Sequence, residues 1–157
     1  MAFPKGQGAT EYLVLLAVVL IVALVSVALL GFFTGMAGDA EITQSASYWQ
    51  SASPFSILET SVSAGNSTVN ASGTFTIQNM KSDGQYTITS LNIASCTANA
   101  TSTTFAPGEI KRMSFVGCGV TFTAGTVYDW NVNITYTSPN GVSGKQYGGK
   151  NVVGKFI

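Results

Sequence analysis

The chain divides into two regions by its pattern of apolar and polar positions. From Tyr12 to Phe33 it is an almost continuous apolar run of about 22 residues without a charge, and only Ser26 interrupts it. As a helix rising about 1.5 Å per residue, this run would cover a bilayer core of about 30 Å. The pattern therefore predicts a helix that can span a membrane.

The predicted helix extends beyond the apolar run. No proline occurs between Pro4 and Pro54, and the Ala, Met, Glu and Gln residues that follow the apolar run favour helix, so we expect a helix over 7–50. Gly31, Gly35 and Gly38 weaken its middle by about 1 kcal/mol each relative to alanine. Gly31 and Gly35 also have the spacing that lets neighbouring helices approach closely, although a frayed stalk is an equally good interpretation.

The basic residues orient this helix in a membrane. Lys5 precedes the apolar run, and the next basic residue is Lys81. Because cytoplasmic flanks of membrane helices are enriched in Lys and Arg, we expect residues 1–5 inside and the rest of the chain outside. An ordinary secretory signal is a poor match, since its apolar region has only about 7 to 15 residues and ends in a small-residue cleavage site.

After Pro54 the pattern changes from helical to alternating. In the clearest example, 128–136, aromatic and aliphatic residues occupy every second position, and Asp, Asn and Thr occupy the positions between them. This alternation predicts one half-buried strand over 128–136. Further strands are predicted, with turns rich in Gly, Pro, Asn and Asp between them, at 57–63, 74–78, 86–93, 109–116, 120–123 and 151–156.

The strand pattern predicts the fold class. Six or seven short strands in about 100 residues are typical of an antiparallel sandwich. We therefore predict an α+β protein in which a long N-terminal hydrophobic α-helix, 7–50, is followed by an immunoglobulin-like antiparallel β-sandwich, 51–157.

Composition argues against several classes of function. Seven basic and seven acidic residues give a net charge of zero, and histidine is absent. The sequence therefore lacks the electrostatic footprint of a nucleic-acid-binding protein and the commonest general base and metal ligand. It also contains no glycine-rich phosphate loop, no nucleophile–base pair and no Cys/His metal spacing. We expect no enzyme, no cofactor, no metal and no nucleic-acid partner.

Cysteines and glycosylation sequons are consistent with an exterior β region. Cys96 and Cys118, the only cysteines, lie after the membrane segment, where one disulfide is expected; two unrelated buried thiols are the alternative. Four Asn-X-Ser/Thr sequons are candidate N-glycosylation sites: Asn66, Asn70, Asn99 and Asn133.

The polar faces of the predicted strands carry mainly Ser, Thr and Asn, with few Lys and Glu residues. Copies of such a neutral surface can pack against each other without like-charge repulsion, so the surface suits a self-assembling lattice. A secreted domain adapted to its medium is the alternative.

Glu11 is a carboxylate at the entrance of the apolar run. One interpretation is interfacial, because the positive end of the helix dipole favours a carboxylate in the first helical turn. Another comes from its neighbours: the stretch KGQGATEYL resembles the processing site, or class III signal peptide, of archaeal type IV pilins. In that family a dedicated membrane peptidase cuts between a short basic leader and the apolar helix, and the fifth mature residue is commonly glutamate.

The resemblance implies a function. Cleavage between Gly6 and Gln7 would remove residues 1–6 as a leader and make Glu11 the fifth mature residue. The chain would then be a structural subunit of an archaeal type IV pilus, a homopolymeric helical filament for adhesion at the archaeal cell surface. Its implied partners are copies of itself, the cell membrane before assembly, a prepilin peptidase, and a pilus assembly ATPase with its membrane platform.

Glu11 would have a specific role in such a filament. The newly exposed amine of Gln7 and the Glu11 carboxylate of a neighbouring subunit would be opposite charges in an apolar helix bundle. An unpaired charge is costly there and a pair is tolerated, so this pairing would set the axial register.

Two other functions fit the same organisation. The archaellum, a rotating motility filament, shares the helix-plus-sandwich plan, although Gln7 as first residue and Glu11 as fifth favour the adhesive pilus. A single-span, membrane-anchored extracellular binding module would instead keep its helix in the membrane and remain a monomer.

Overall fold

A computed structural model describes residues 7–66, 68–94, 96–98, 102–119 and 122–157, and only the backbone of residues 7 and 32–37. It shows an α+β protein with one long apolar N-terminal helix, α1 (Gln7–Gln50), and antiparallel sheets. The chain divides into two compact units, the first ending at Asp39 and the second comprising Ala40–Ile157.

The first unit is helical from Gln7 onwards. Within it, Gly8–Gly31 is long and apolar enough to cross a membrane, with a mean hydropathy of 3.4 and none of its residues buried. The one hydroxyl that interrupts the run, that of Ser26, donates a hydrogen bond to the carbonyl oxygen of Val22 at 2.7 Å. Because it is apolar on every side, this segment is a candidate membrane anchor or signal sequence.

The second unit contains ten strands among the residues that the structure describes. They form two four-stranded antiparallel sheets, ordered β1-β2-β6-β4 and β5-β3-β8-β9, and a two-stranded sheet of β10 and β7. The strands are β1 (Phe55–Ser63), β2 (Ser72–Asn79), β3 (Tyr86–Ile93), β4 (Thr97–Ala98), β5 (Thr103–Phe105), β6 (Ile110–Val116), β7 (Val127–Trp130), β8 (Val132–Thr137), β9 (Ser143–Tyr147) and β10 (Val152–Lys155).

The prediction of one strand over 128–136 is wrong, because β7 ends at Trp130 and β8 begins at Val132. β7 pairs with β10, whereas β8 pairs with β3 and β9. Between them, the carbonyl oxygen of Asn131 accepts a hydrogen bond from the N–H of Ala94 at 3.0 Å. The chain thus passes from one sheet to another at Asn131 while the same side chains stay buried. The alternation of apolar and polar residues determines which side chains are buried, but it does not determine which strand pairs with which.

Three short strands, β4, β5 and β9, were not predicted from the sequence. β4 has two residues and β5 three, and β9 has the sequence SGKQY, which lacks apolar alternation. Tertiary pairing with longer strands creates all three. In the predicted strand 120–123, residues 120–121 lie outside the described residues, and Phe122 and Thr123 form no strand.

One hydrophobic core joins the sheets. It includes Phe75 and Phe115 from the first sheet, Ile88 and Ile134 from the second, and Trp130 from the two-stranded sheet. The rings of Phe115 and Trp130 are in edge contact, with centroids 6.0 Å apart. Burial of these large side chains supplies the main driving force for folding of the β region.

The last turns of α1 belong to the second unit because they pack on its strands. Trp49 is buried, and the Ser45 hydroxyl donates to the carbonyl oxygen of Asn151 at 2.8 Å and accepts from the N–H of Val153 at 2.9 Å. The phenol oxygen of Tyr48 accepts a bond from the N–H of Gly149 at 2.8 Å. The 40–50 segment is therefore an integral part of the β unit.

A buried glutamine forms hydrogen bonds with the edge strand of the first sheet. The Gln146 side chain of β9 accepts a hydrogen bond from the N–H of Phe55 at 3.0 Å and donates one to its carbonyl oxygen at 2.7 Å. Phe55 is fully buried at the start of β1, which is an edge strand. Gln146 thus satisfies two backbone groups that a neighbouring strand would otherwise bind.

A disulfide joins Cys96, just before β4, to Cys118, just after β6, with an S–S distance of 2.08 Å. Each cysteine adjoins one of two paired strands, so the bond closes the end of the first sheet.

Replacing both cysteines with Ser is expected to lower the free energy of unfolding by about 3 kcal/mol. The bond spans 22 positions, and cross-linking a loop of this size restricts the unfolded chain by that amount. The measurement is urea unfolding of the full chain in detergent, followed by the fluorescence of the buried Trp49 and Trp130. Reduction of the wild type should reproduce the change, and equal midpoints in the oxidised and reduced forms would contradict it.

Candidate functional site

The apolar helix is the largest candidate interaction surface of the described chain. Its large side chains from Tyr12 to Leu30 are mostly more than half exposed. Glu11 is the only charged residue between Gln7 and Gly38. A surface of this kind has to be covered by lipid or by other apolar helices, because water would leave it unfavourably solvated.

Glu11 lies deeper in the helix than the sequence-based dipole interpretation assumed. The described part of α1 begins at Gln7 and has no acidic residue in its first turn. Because the dipole effect falls off within that turn, the interpretation of Glu11 as a first-turn carboxylate is wrong. The carboxylate therefore needs another source of compensation once the helix is surrounded by apolar groups.

The predicted cleavage site is only partly within the described residues. Gly6 lies outside them, and of Gln7 the structure describes the backbone alone, as the first residue of α1. Cleavage between Gly6 and Gln7 stays a prediction.

The four predicted glycosylation sites have different environments. Asn66 and Asn70 are exposed in the loop between β1 and β2. Asn133 is half-buried within β8, and its side-chain N–H donates to the Oδ1 atom of Asn131 at 2.8 Å. Asn99 lies outside the described residues.

Charged contacts are sparse on the β unit. An ion pair joins Lys111 and Glu109 at 3.0 Å, and both side chains are about a third exposed. The N–H of Ala106 also donates to Glu109 at 2.7 Å. This backbone bond, together with Lys111, lowers the pKa of Glu109 below its usual value. These contacts stabilise a turn and do not resemble a catalytic arrangement.

Metal-binding and thiol groups are equally sparse among the described residues. Among the described residues, no three His, Cys, Asp or Glu side chains are placed to hold a metal ion. Both cysteines are in the disulfide. The features that the structure brings together are therefore hydrogen-bonding and packing groups.

Tyr128 makes the stability of the β unit sensitive to alkaline pH. It is almost fully buried, its phenol is 2.8 Å from the hydroxyl of Thr60, and burial raises its pKa above 10.0, although the bond to Thr60 acts in the opposite direction. A raised folded-state pKa contributes stability that is present below pH 10 and is lost as the pH rises through that pKa.

We expect Tyr128→Phe to lose less stability than the wild type between pH 8 and pH 11, because Phe cannot ionise. At pH 8 the variant should be less stable by about 1 kcal/mol, through loss of the bond to Thr60. Urea midpoints at the two pH values measure both effects. Tyr147→Phe, at an exposed position, is the matched control. Equal losses for the Tyr128 variant and wild type would contradict the expectation.

Comparison with known proteins identifies no family. No protein-family model matches the chain, and no curated protein matches it significantly.

Proposed function

We propose that the chain is a structural subunit of an archaeal type IV pilus. Its N-terminal helices would bundle into the core of an extracellular filament, and its β units would cover the outside and provide adhesion. The observation that carries this proposal is the exposed segment Gly8–Gly31 of α1, apolar on every side, whose single carboxylate, Glu11, is the fifth residue after Gly6.

Energetics supports bundling as the use of this helix. Lipid and a bundle of similar helices are both apolar, so moving the helix from one to the other changes its hydrophobic free energy little. Close packing between the helices therefore determines whether they associate. An apolar surface alone does not fix how far one helix is displaced along its neighbour, whereas the charge of Glu11 can fix this axial position. Its proposed partner is the amine of Gln7 in a neighbouring subunit after removal of the leader.

The proposal includes a finer description of the β unit as an immunoglobulin-like sandwich that acts as the pilin head. Its support is the core shared by the two four-stranded sheets. The low charge of the exterior also suits close packing of heads in a lattice, because copies would not repel one another.

Electron microscopy of filaments sheared from native cells tests the proposal, with peptide mass mapping of the same material. Abundant filaments of this chain that begin at Gln7 would support it. A monomer confined to the membrane fraction and beginning at Met1 would overturn it in favour of an anchored binding module. Rotation of cells by filaments of this chain would identify an archaellum instead.

A further inference from the structure

The loop over 64–71, between β1 and β2, contains two sequons, and both ends of the loop are held in place by burial and hydrogen bonds. At its ends, Ala64 and Ala71 are buried, and each donates a main-chain hydrogen bond of 3.1 Å to another segment of the β unit. Asn66 and Asn70 lie between them and are exposed. The two asparagines are therefore accessible without disturbing the core.

The geometry of Asn66 is compatible with a substituent on its amide nitrogen. Its Oδ1 atom accepts three hydrogen bonds, from the N–H and hydroxyl of Thr68 at 2.9 Å each and from the N–H of Val69 at 2.8 Å. An N-linked glycan is attached at Nδ2 and leaves Oδ1 in place. The loop can therefore keep all three bonds after modification.

Asn133 has the opposite environment. It lies in β8, an interior strand, opposite Asn92 on one side and Tyr147 on the other. A transferase that binds a sequon as a free peptide segment would have to separate this strand from both neighbours. The Nδ2 atom that would receive the sugar already donates to Asn131.

We infer that Asn66 and Asn70 carry N-linked oligosaccharides and that Asn133 does not. In the transfer, Nδ2 attacks the anomeric carbon of a lipid-phosphate-linked oligosaccharide. A C–N bond forms as the C–O bond to phosphate breaks, the lipid phosphate leaves, and one Nδ2 proton passes to a base of the transferase. The inference goes beyond the proposed function and requires only that the β unit be exported.

Glycopeptide mass spectrometry of the full chain from native cells tests this selectivity. Chymotrypsin, which cleaves after Phe, Tyr, Trp and Leu, would release 59–75, with both loop sequons, and 131–136, with Asn133. Fragmentation that keeps the glycan attached should place one oligosaccharide on Asn66 and one on Asn70, and none on Asn133. A modified Asn133, or an unmodified Asn66 or Asn70, would overturn the inference.

Matched variants separate loss of the sequon from loss of local structure. Thr68→Val removes the Asn66 sequon and Thr68→Ser keeps it, so only the first should lose one glycan mass. Ser72→Ala and Ser72→Thr are the corresponding pair for Asn70. Thr135→Val removes the Asn133 sequon and should leave the glycan mass unchanged; a lost glycan there would contradict the inference.

The outcomes also distinguish this inference from the proposed function. Filaments with unmodified Asn66 and Asn70 would overturn the inference and leave the pilus proposal intact. A monomer that is glycosylated at Asn66 and Asn70 but stays in the membrane would overturn the pilus proposal and leave the inference intact.

Discussion

Replacing Glu11 with Ala is expected to abolish pilus assembly while leaving the chain inserted in the membrane. The change removes the only charge of the apolar surface, so insertion becomes easier. In the proposed bundle, however, it leaves the Gln7 amine of a neighbour without a partner. Breaking a buried pair costs about 3 kcal/mol or more, which weakens each association step roughly a hundredfold.

Filament yield per cell, by electron microscopy of sheared material, measures the assembly defect, and resistance to alkaline carbonate extraction measures insertion. Glu41→Gln is the matched control, because Glu41 is an exposed carboxylate of the same helix but belongs to the β unit. We expect normal yield from this control. Normal yield from Glu11→Ala would show that the proposed pairing does not direct assembly.

Replacing Gln146 with Leu is expected to destabilise the β unit strongly. Leu has a similar volume but no hydrogen-bonding group, so the N–H and carbonyl oxygen of Phe55 would lose their partners in the core. Each buried, unsatisfied backbone group costs about 1–3 kcal/mol, giving a total of about 2–6 kcal/mol. For a domain of this size the Tm should fall by roughly 10–20 °C.

Thermal unfolding of the full chain in detergent, followed by tryptophan fluorescence, measures this loss. Gln85→Leu is the control, because Gln85 is exposed in the loop directly before β3 and the same substitution there should change the Tm by only a few degrees. A comparable, small change for both variants would mean that water or a rearranged backbone satisfies Phe55. The bonds of Gln146 would then contribute little to stability.

Much of the α+β organisation was predictable from the sequence because its signals are local. The α1 helix follows from residue composition and from the absence of proline between Pro4 and Pro54. The strands β2, β3 and β6 follow from alternation and from the turns that separate them. The candidate site was predictable to the same extent, since Glu11, the cysteines and the sequons are recognised by type and spacing.

The parts that the sequence did not predict depend on distant residues. β9 has too few apolar side chains to indicate a strand. It forms because its backbone pairs with the edge of β8. Gln146 carried no signal at all, because a glutamine becomes important only when a buried backbone group 91 positions away is left without a partner. The different environments of Asn66 and Asn133 likewise depend on which strands surround them.

The sequence by itself determined a charge-free run, 12–33, long enough to cross a membrane, the carboxylate of Glu11 directly before it, and the buried face of each long strand. These properties follow from side-chain chemistry and from periods of a few residues. Only the tertiary structure decided that the chain changes sheets at Asn131, that α1 is part of the β unit from Ala40 onwards, and that Gln146 secures Phe55. Each of these depends on hydrogen bonds between segments far apart in sequence, which alternation and composition do not specify.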